Sequence, residues 1–254
     1  MRKTVLRVSA VAAVLLLAAA GTAVALRLQV ANIVITTDGG FTPTTLPKHG
    51  LAPIELHGYG KIGTVDGTLP PILKTITLWF DKRGSVETRG LPVCTAAKLA
   101  STDTEHARQM CPGAIIGTGL GKAIVKFPEQ PPIPASSPIT IFNGPKKNGN
   151  PTVLAHAYLS VPAPSTFVVP IEIQKVHDGR YGFKTVATIP PIANGAGIPI
   201  YGSLSIGREW KYKGRTLSYV NAGCPDGRLQ AKAEFKFEGG TILQGALLKA
   251  CKGK

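Results

Sequence analysis

Near its C-terminal end the chain runs Ala231-Lys232-Ala233-Glu234-Phe235-Lys236-Phe237-Glu238, an unbroken alternation of apolar and charged side chains. A β-strand, with its two-residue period, sorts that pattern into one dry face and one wet face. A strand wet on one side belongs to an antiparallel sheet, because parallel sheets are covered on both faces. The same period recurs in residues 75–80, 170–174 and 181–185, and further β-rich runs lie at 30–36, 115–127, 139–142, 153–161, 216–220 and 241–248. Gly (29) and Pro (21) punctuate the chain too often for a helical bundle. Turn clusters such as Asn143-Gly144-Pro145 and Asn194-Gly195-Ala196-Gly197 separate the runs, and no polar linker divides them. The expected fold is all-β: a single-domain antiparallel β-sandwich, jelly-roll or immunoglobulin-like, of about ten or more short strands. Pro-Pro-Ile recurs at 70–72, 131–133 and 190–192, but the intervening segments do not align, so it reads as a shared loop device.

One helix interrupts the strands. Thr102-Asp103-Thr104-Glu105 has the pattern of a capping box, good helix formers continue to Met110, and Pro112-Gly113 stops them. The helix lies between Cys94 and Cys111. With Cys224 and Cys251 the chain has four cysteines, which allow three connectivities. Cys94–Cys111 with Cys224–Cys251 is the preferred pairing, since each bridge then brackets one local excursion. Loops of this size give roughly 3 to 3.5 kcal/mol per bridge on the chain-entropy model. A zinc site is disfavoured because the spacings lack close cysteine pairs, and neither metal nor cofactor is expected.

At the other end, Arg2, Lys3 and Arg7 precede an apolar run from Val8 to Ala20, and Gly21-Thr22-Ala23-Val24-Ala25 ends in small residues. This three-part pattern is that of a secretory signal peptide over residues 1–25, cut after Ala25, with one domain over 26–254. No later stretch is apolar enough to span a membrane. Four cysteines, an even number, fit a secreted or extracytoplasmic location, where disulfides persist.

Charge then narrows the partner. With Arg2, Lys3 and Arg7 set aside, 26 cations face 14 carboxylates, leaving +12 on the mature chain. Export removes cytoplasmic nucleic acid from the candidates, so the expected partner is an anionic cell-envelope polymer or polysaccharide. Residues 208–215 are the densest candidate, with Arg208, Lys211, Lys213 and Arg215 beside Trp210 and Tyr212. If they are extended, Arg208, Trp210 and Tyr212 share one face, where the rings could stack on sugars; the favoured reading is that the rings face the core, since an alternating strand explains the pattern without a ligand.

Catalytic motifs are weaker. Gly117-Thr118-Gly119-Leu120-Gly121-Lys122 lacks the spacing and the following helix of a phosphate loop, and reads as a glycine-bent strand. Gly202-Ser203-Leu204-Ser205 misses the nucleophile-elbow pattern. His49, His57, His106, His156 and His177 form no local metal-binding pair. The leading expectation is therefore a non-catalytic envelope or extracellular protein, structural or weakly binding anionic polymers through a basic surface. The alternative is a secreted carbohydrate-active enzyme, a glycosidase or a polysaccharide lyase using groups such as Tyr181, Lys184 and His177. Intact-mass measurement of the exported protein should give a chain beginning at Leu26; retention of residues 1–25 would contradict the cleavage.

Overall fold

Alternation in the sequence becomes pairing in the computed structural model, which describes residues 25–254; residues 1–24 of the expected signal peptide lie outside the described residues. The first strands are β1 (Leu26–Val30), β2 (Ile33–Thr42), β3 (Thr45–Leu46), β4 (Ala52–Pro53), β5 (Glu55–Thr64), β6 (Leu73–Asp81) and β7 (Gly84–Val86). Two helices, α1 (Ala96–Leu99) and α2 (Thr104–Met110), follow. Next come β8 (Ile115–Val125), β9 (Ile133–Lys147), β10 (Asn150–Leu159), β11 (Ser165–Asp178), β12 (Tyr181–Thr188) and β13 (Gly197–Ile206). The chain closes with β14 (Glu209–Tyr212), β15 (Arg215–Ser218), β16 (Val220–Ala222), β17 (Arg228–Phe237), β18 (Ile242–Ala250) and β19 (Lys252–Gly253).

Twelve strands form one antiparallel sheet in the order β1-β2-β5-β13-β8-β9-β10-β11-β12-β6-β17-β18. Its two layers are continuous through β11, whose first half (165–172) pairs with β10 and whose second half (173–178) pairs with β12. Beyond that corner the sheet curls back, so that Ile33, Ile35 and Ile62 from one layer pack on Leu73, Phe235, Phe237 and Leu243 from the other. The expected sandwich packing is thus present, made by one folded sheet. The end strands β1 and β18 meet at a seam: a Cβ on Gly245 would lie 2.7 Å from Leu26 and Leu28 methyl carbons. Lys249 crosses the seam to Asp38 at 2.5 Å.

Segments from β7 and β14–β16 cover much of the concave side. Leu91, Tyr219, Val220 and Trp210 pack there on Ile116, Ile141, Val153 and Ile173. Both bridges form as expected, Cys94–Cys111 and Cys224–Cys251. The second lies beside Phe41, Leu46 and Leu229.

The first bridge staples a helical cap onto β9 and β10, where Cys94, Leu99, Ala107 and Cys111 bury Phe142 and Leu154. Two helices occupy the excursion where one was expected, with α1 preceding the capping motif. The cap residue also differs. Asp103, one position after Thr102, accepts from the His106 backbone N–H at 2.8 Å. Thr102 is occupied otherwise: its hydroxyl donates to the Leu99 carbonyl at 2.7 Å, and its own carbonyl accepts from Thr166 at 2.8 Å.

Beneath this cap His156 is wholly buried. Its Nε2 lies 3.1 Å from the Thr102 carbonyl, so Nε2 carries the proton and donates. Nδ1 has no partner. Loss of solvent pushes the imidazole pKa below its usual 6.5, against a smaller upward pull from the Thr102 carbonyl. Nearby, Arg108 bonds Thr140 and Asp103 pairs with His106. Below pH 6.5 the unfolded chain therefore binds a proton that the folded chain refuses, and stability falls as pH drops through that window. Urea midpoints measured from neutral to mildly acidic pH should decline more steeply for the native protein than for His156→Gln. Equal slopes would remove His156 from the pH response.

Candidate functional site

In the hairpin marked by the sequence, the aromatic rings turn toward the protein. Trp210 pairs with Leu217 and Tyr212 with Arg215 across β14 and β15. Trp210 is half-buried, and its indole N–H donates to the Arg89 carbonyl at 2.9 Å. Tyr212 lies against Gly90, whose φ of +71° and lack of a side chain make room for the ring. Arg208 donates to the Ile115 and Pro112 carbonyls at 2.6 and 3.2 Å, closing the end of an irregular stretch. Lys211, Lys213 and Arg215 stay exposed on the outside; Lys211 bonds Thr216 at 2.8 Å and Lys213 sits 5.6 Å from the Tyr212 ring centre. The hairpin offers charge, while its rings hold it to the body.

Two other places bring cations and rings together, and the strand register builds both. On β5, β13 and β8, Tyr201 stands directly between Lys61 and Lys122. On β12, β6 and β17, Trp79 stands directly between Lys184 and Lys232. Both triads occupy convex positions, since the alternate residues Gly60, Leu78 and Ala233 face the core.

The first triad is open. Lys122 lies 5.6 Å from the Tyr201 ring centre, within the range of cation–π attraction. Tyr59, diagonal to Tyr201, stacks with it at 6.3 Å between centroids and 21° between planes. Tyr59 itself remains 38% exposed. The second triad is closed: Lys232 and Lys184 lie 4.0 and 5.3 Å from the Trp79 ring centre, and Trp79 is only 9% exposed. Lys232 also approaches Tyr181, whose hydroxyl accepts from Gln230 at 2.8 Å.

Among the described residues, none of Lys61, Lys122, Lys184 and Lys232 forms an ion pair. Two carboxylates neighbour Trp79 on this face: Glu234, two residues from Lys232 along β17, and Asp81, two residues along β6, which is committed elsewhere. Asp81 accepts from Arg180 at 2.7 Å and from the backbone of Arg83 and Gln230 at 3.0 Å. Arg180 is shared with Asp226, which holds the arginine above and the aspartate below their ordinary pKa ranges through the paired hydrogen bonds. Two ammonium groups within roughly 9 Å of each other in water repel by about 0.5 kcal/mol, about what one exposed ring returns to each. A bound anion would relieve that repulsion.

Catalytic groups converge less well. A groove of about 750 Å³ runs over β2, β5 and β13 and is bounded by Asp38, His57, Tyr59, Leu204 and Lys249 among others. A second, of about 340 Å³, adjoins it at Thr118 and Ser205 and reaches Glu55 and Arg208. The one carboxylate of each groove is engaged: Asp38 by Lys249 and the Gly39 N–H, and Glu55 by the Ser205 hydroxyl. Glu55 pairs with Thr42, four residues beyond Asp38 on β2, which at strand spacing sets the two acids roughly 13 Å apart along the sheet. Glycosidase pairs stand about 5 to 9.5 Å apart. Tyr181 and Lys184 border Trp79, His177 is exposed near the end of β11, and all three lie outside both grooves. Among the described residues no group of three His, Cys, Asp or Glu is placed to hold a metal ion.

Strands β5 and β13, which carry the open triad, escape a hydrophobic-pattern reading because glycines at Gly58, Gly60 and Gly202 interrupt their inward rows. Alternation of Leu56, Gly58, Gly60 and Ile62 with Glu55, His57, Tyr59 and Lys61 is the signal that marks β5. Comparison of the chain with protein-family models, with curated proteins and with solved structures finds no match.

Trp210→Ala should lower unfolding stability by about 2–3 kcal/mol, a half-buried fraction of a full core loss, and leave retention on an anionic resin unchanged. Binding lost at undiminished stability would return the hairpin rings to the ligand surface.

Proposed function

We propose that this is an exported, non-catalytic protein that binds anionic polymers of the cell envelope or surroundings through its basic convex face. The observation that carries the reading is the pair of cross-strand Lys–aromatic–Lys triads, whose four lysines form no ion pair among the described residues. Uncompensated like charges held on a rigid sheet favour a polyanion over a neutral ligand. They make a site in which desolvation is small and the field acts through screened water. The exposed Lys211, Lys213 and Arg215 extend the same charge onto the hairpin.

The export half of the proposal is supported by the two disulfides and by the signal pattern over residues 1–25. No helix among the described residues is long and apolar enough to cross a membrane. A carbohydrate-active enzyme remains the second reading, favoured by the groove that gathers Asp38, His57, Tyr59 and Lys249. Release of reducing ends or unsaturated uronates from polysaccharide would select it.

Retention on an anionic resin over a salt gradient tests the binding role. The protein should bind at low salt and elute well below molar salt, because the Debye length shrinks from about 10 Å at 0.1 M to 3 Å at 1 M. Replacing Lys61, Lys122, Lys184 and Lys232 together with Gln should shift elution to markedly lower salt, with the thermal midpoint little changed. Failure to bind at low salt would leave a purely structural role.

A further inference from the structure

Resting on that reading, we infer that the Tyr59–Tyr201 triad takes an acidic sugar: a uronate ring stacks on Tyr59, and its carboxylate is held by Lys61 and Lys122. The two triads share their charge and differ in their rings. Trp79 lies under its lysines and is 9% exposed, so that triad presents cations alone. Tyr59 is 38% exposed, and Tyr201 fixes its plane at 6.3 Å and 21°. An aromatic face held in place by a second ring gives apolar contact area at little cost in side-chain entropy.

What surrounds Tyr59 matches a hydroxylated, carboxylated ring. Lys61 and His57 flank it on the same face of β5, two residues to either side. Ser203 stands directly opposite on β13, and the residue opposite on β2 is Asp38, whose carboxylate is neutralised by Lys249 at 2.5 Å. Lys122 reaches the far side of Tyr201 from β8. A pyranuronate offers an apolar C–H face for the tyrosine, a carboxylate at its edge for the ammonium groups and hydroxyls for Ser203 and His57. A polyphosphate offers charge and no flat face, so it gains nothing from Tyr59.

Calorimetric titration of the disulfide-bonded protein with an oligogalacturonate, with inorganic polyphosphate and with a neutral cello-oligosaccharide separates the cases. Tyr59→Ala should weaken oligogalacturonate binding roughly five- to tenfold, leave polyphosphate binding unchanged, and be rescued by Tyr59→Phe. Lys184→Ala/Lys232→Ala should weaken both anionic ligands alike. Lys61→Gln/Lys122→Gln, which leaves both rings in place, should abolish the preference for the oligogalacturonate over the neutral sugar. Equal losses for both anions in Tyr59→Ala, or none for the oligogalacturonate, would overturn the inference. Wild-type binding of polyphosphate without oligogalacturonate would overturn it while leaving the anionic-polymer reading intact. Binding of neither anion at low salt would overturn both.

Discussion

The convex face depends on how closely β8 and β13 approach each other. A Cβ on Gly119 would overlap the Ser203 carbonyl oxygen, and one on Gly117 the Ser205 carbonyl oxygen. Along β2, β5, β13 and β8 the inward rows read Gly39, Gly58, Leu204, Gly119 and then Thr37, Gly60, Gly202, Gly121. A sheet emptied of side chains on one side can coil toward that side, which is how glycine introduces curvature in β proteins. A Cβ on Gly60 would lie 3.9 Å from the Phe235 ring of the opposite layer. Outside, the same curvature fans Lys61, Tyr201 and Lys122 over a convex surface. Packing within and presentation without are two results of one steric condition.

The two triads show how register converts a common arrangement into different surfaces. In each, a ring stands between lysines on neighbouring strands. Trp79 is large enough for both lysine stems to lie on it, so its apolar area is spent inside the protein. The open site has a second tyrosine, and its ring area remains available to solvent. Charge is similar at the two sites; exposed apolar area distinguishes them.

Much of the fold was legible where apolar and charged residues alternate. Phe235 and Phe237 face inward while Lys232 and Lys236 face outward, as the pattern in β17 implies. The bridges were legible because each closes a local excursion. The open triad was not, for two reasons. Glycine carries little hydrophobic signal and low β-propensity, so 55–64 is not marked as a strand and Gly202–Ser205 stands out only as a rejected nucleophile elbow. Its members also come from three strands far apart in sequence, and their adjacency exists only once β13 inserts between β5 and β8. Thr102 illustrates a smaller failure: its spacing from Glu105 suits a cap, yet the buried His156 and Thr166 compete for its polar groups from β10 and β11. The hairpin at 208–215 was conspicuous for its composition, but burial decides the role of its rings, and composition does not encode burial.

The seam between β1 and β18 bears on how this protein meets others. Sheet edges are natural docking points, because their unpaired backbone groups accept an incoming strand, and this is how many extended peptides bind and many β proteins aggregate. Here the first and last strands of the great sheet turn toward each other, packed through Leu26, Leu28 and Gly245 and pinned by Asp38 and Lys249. The edges guard one another. With strand addition discouraged, contact with other molecules falls to side chains on the faces of the sheet.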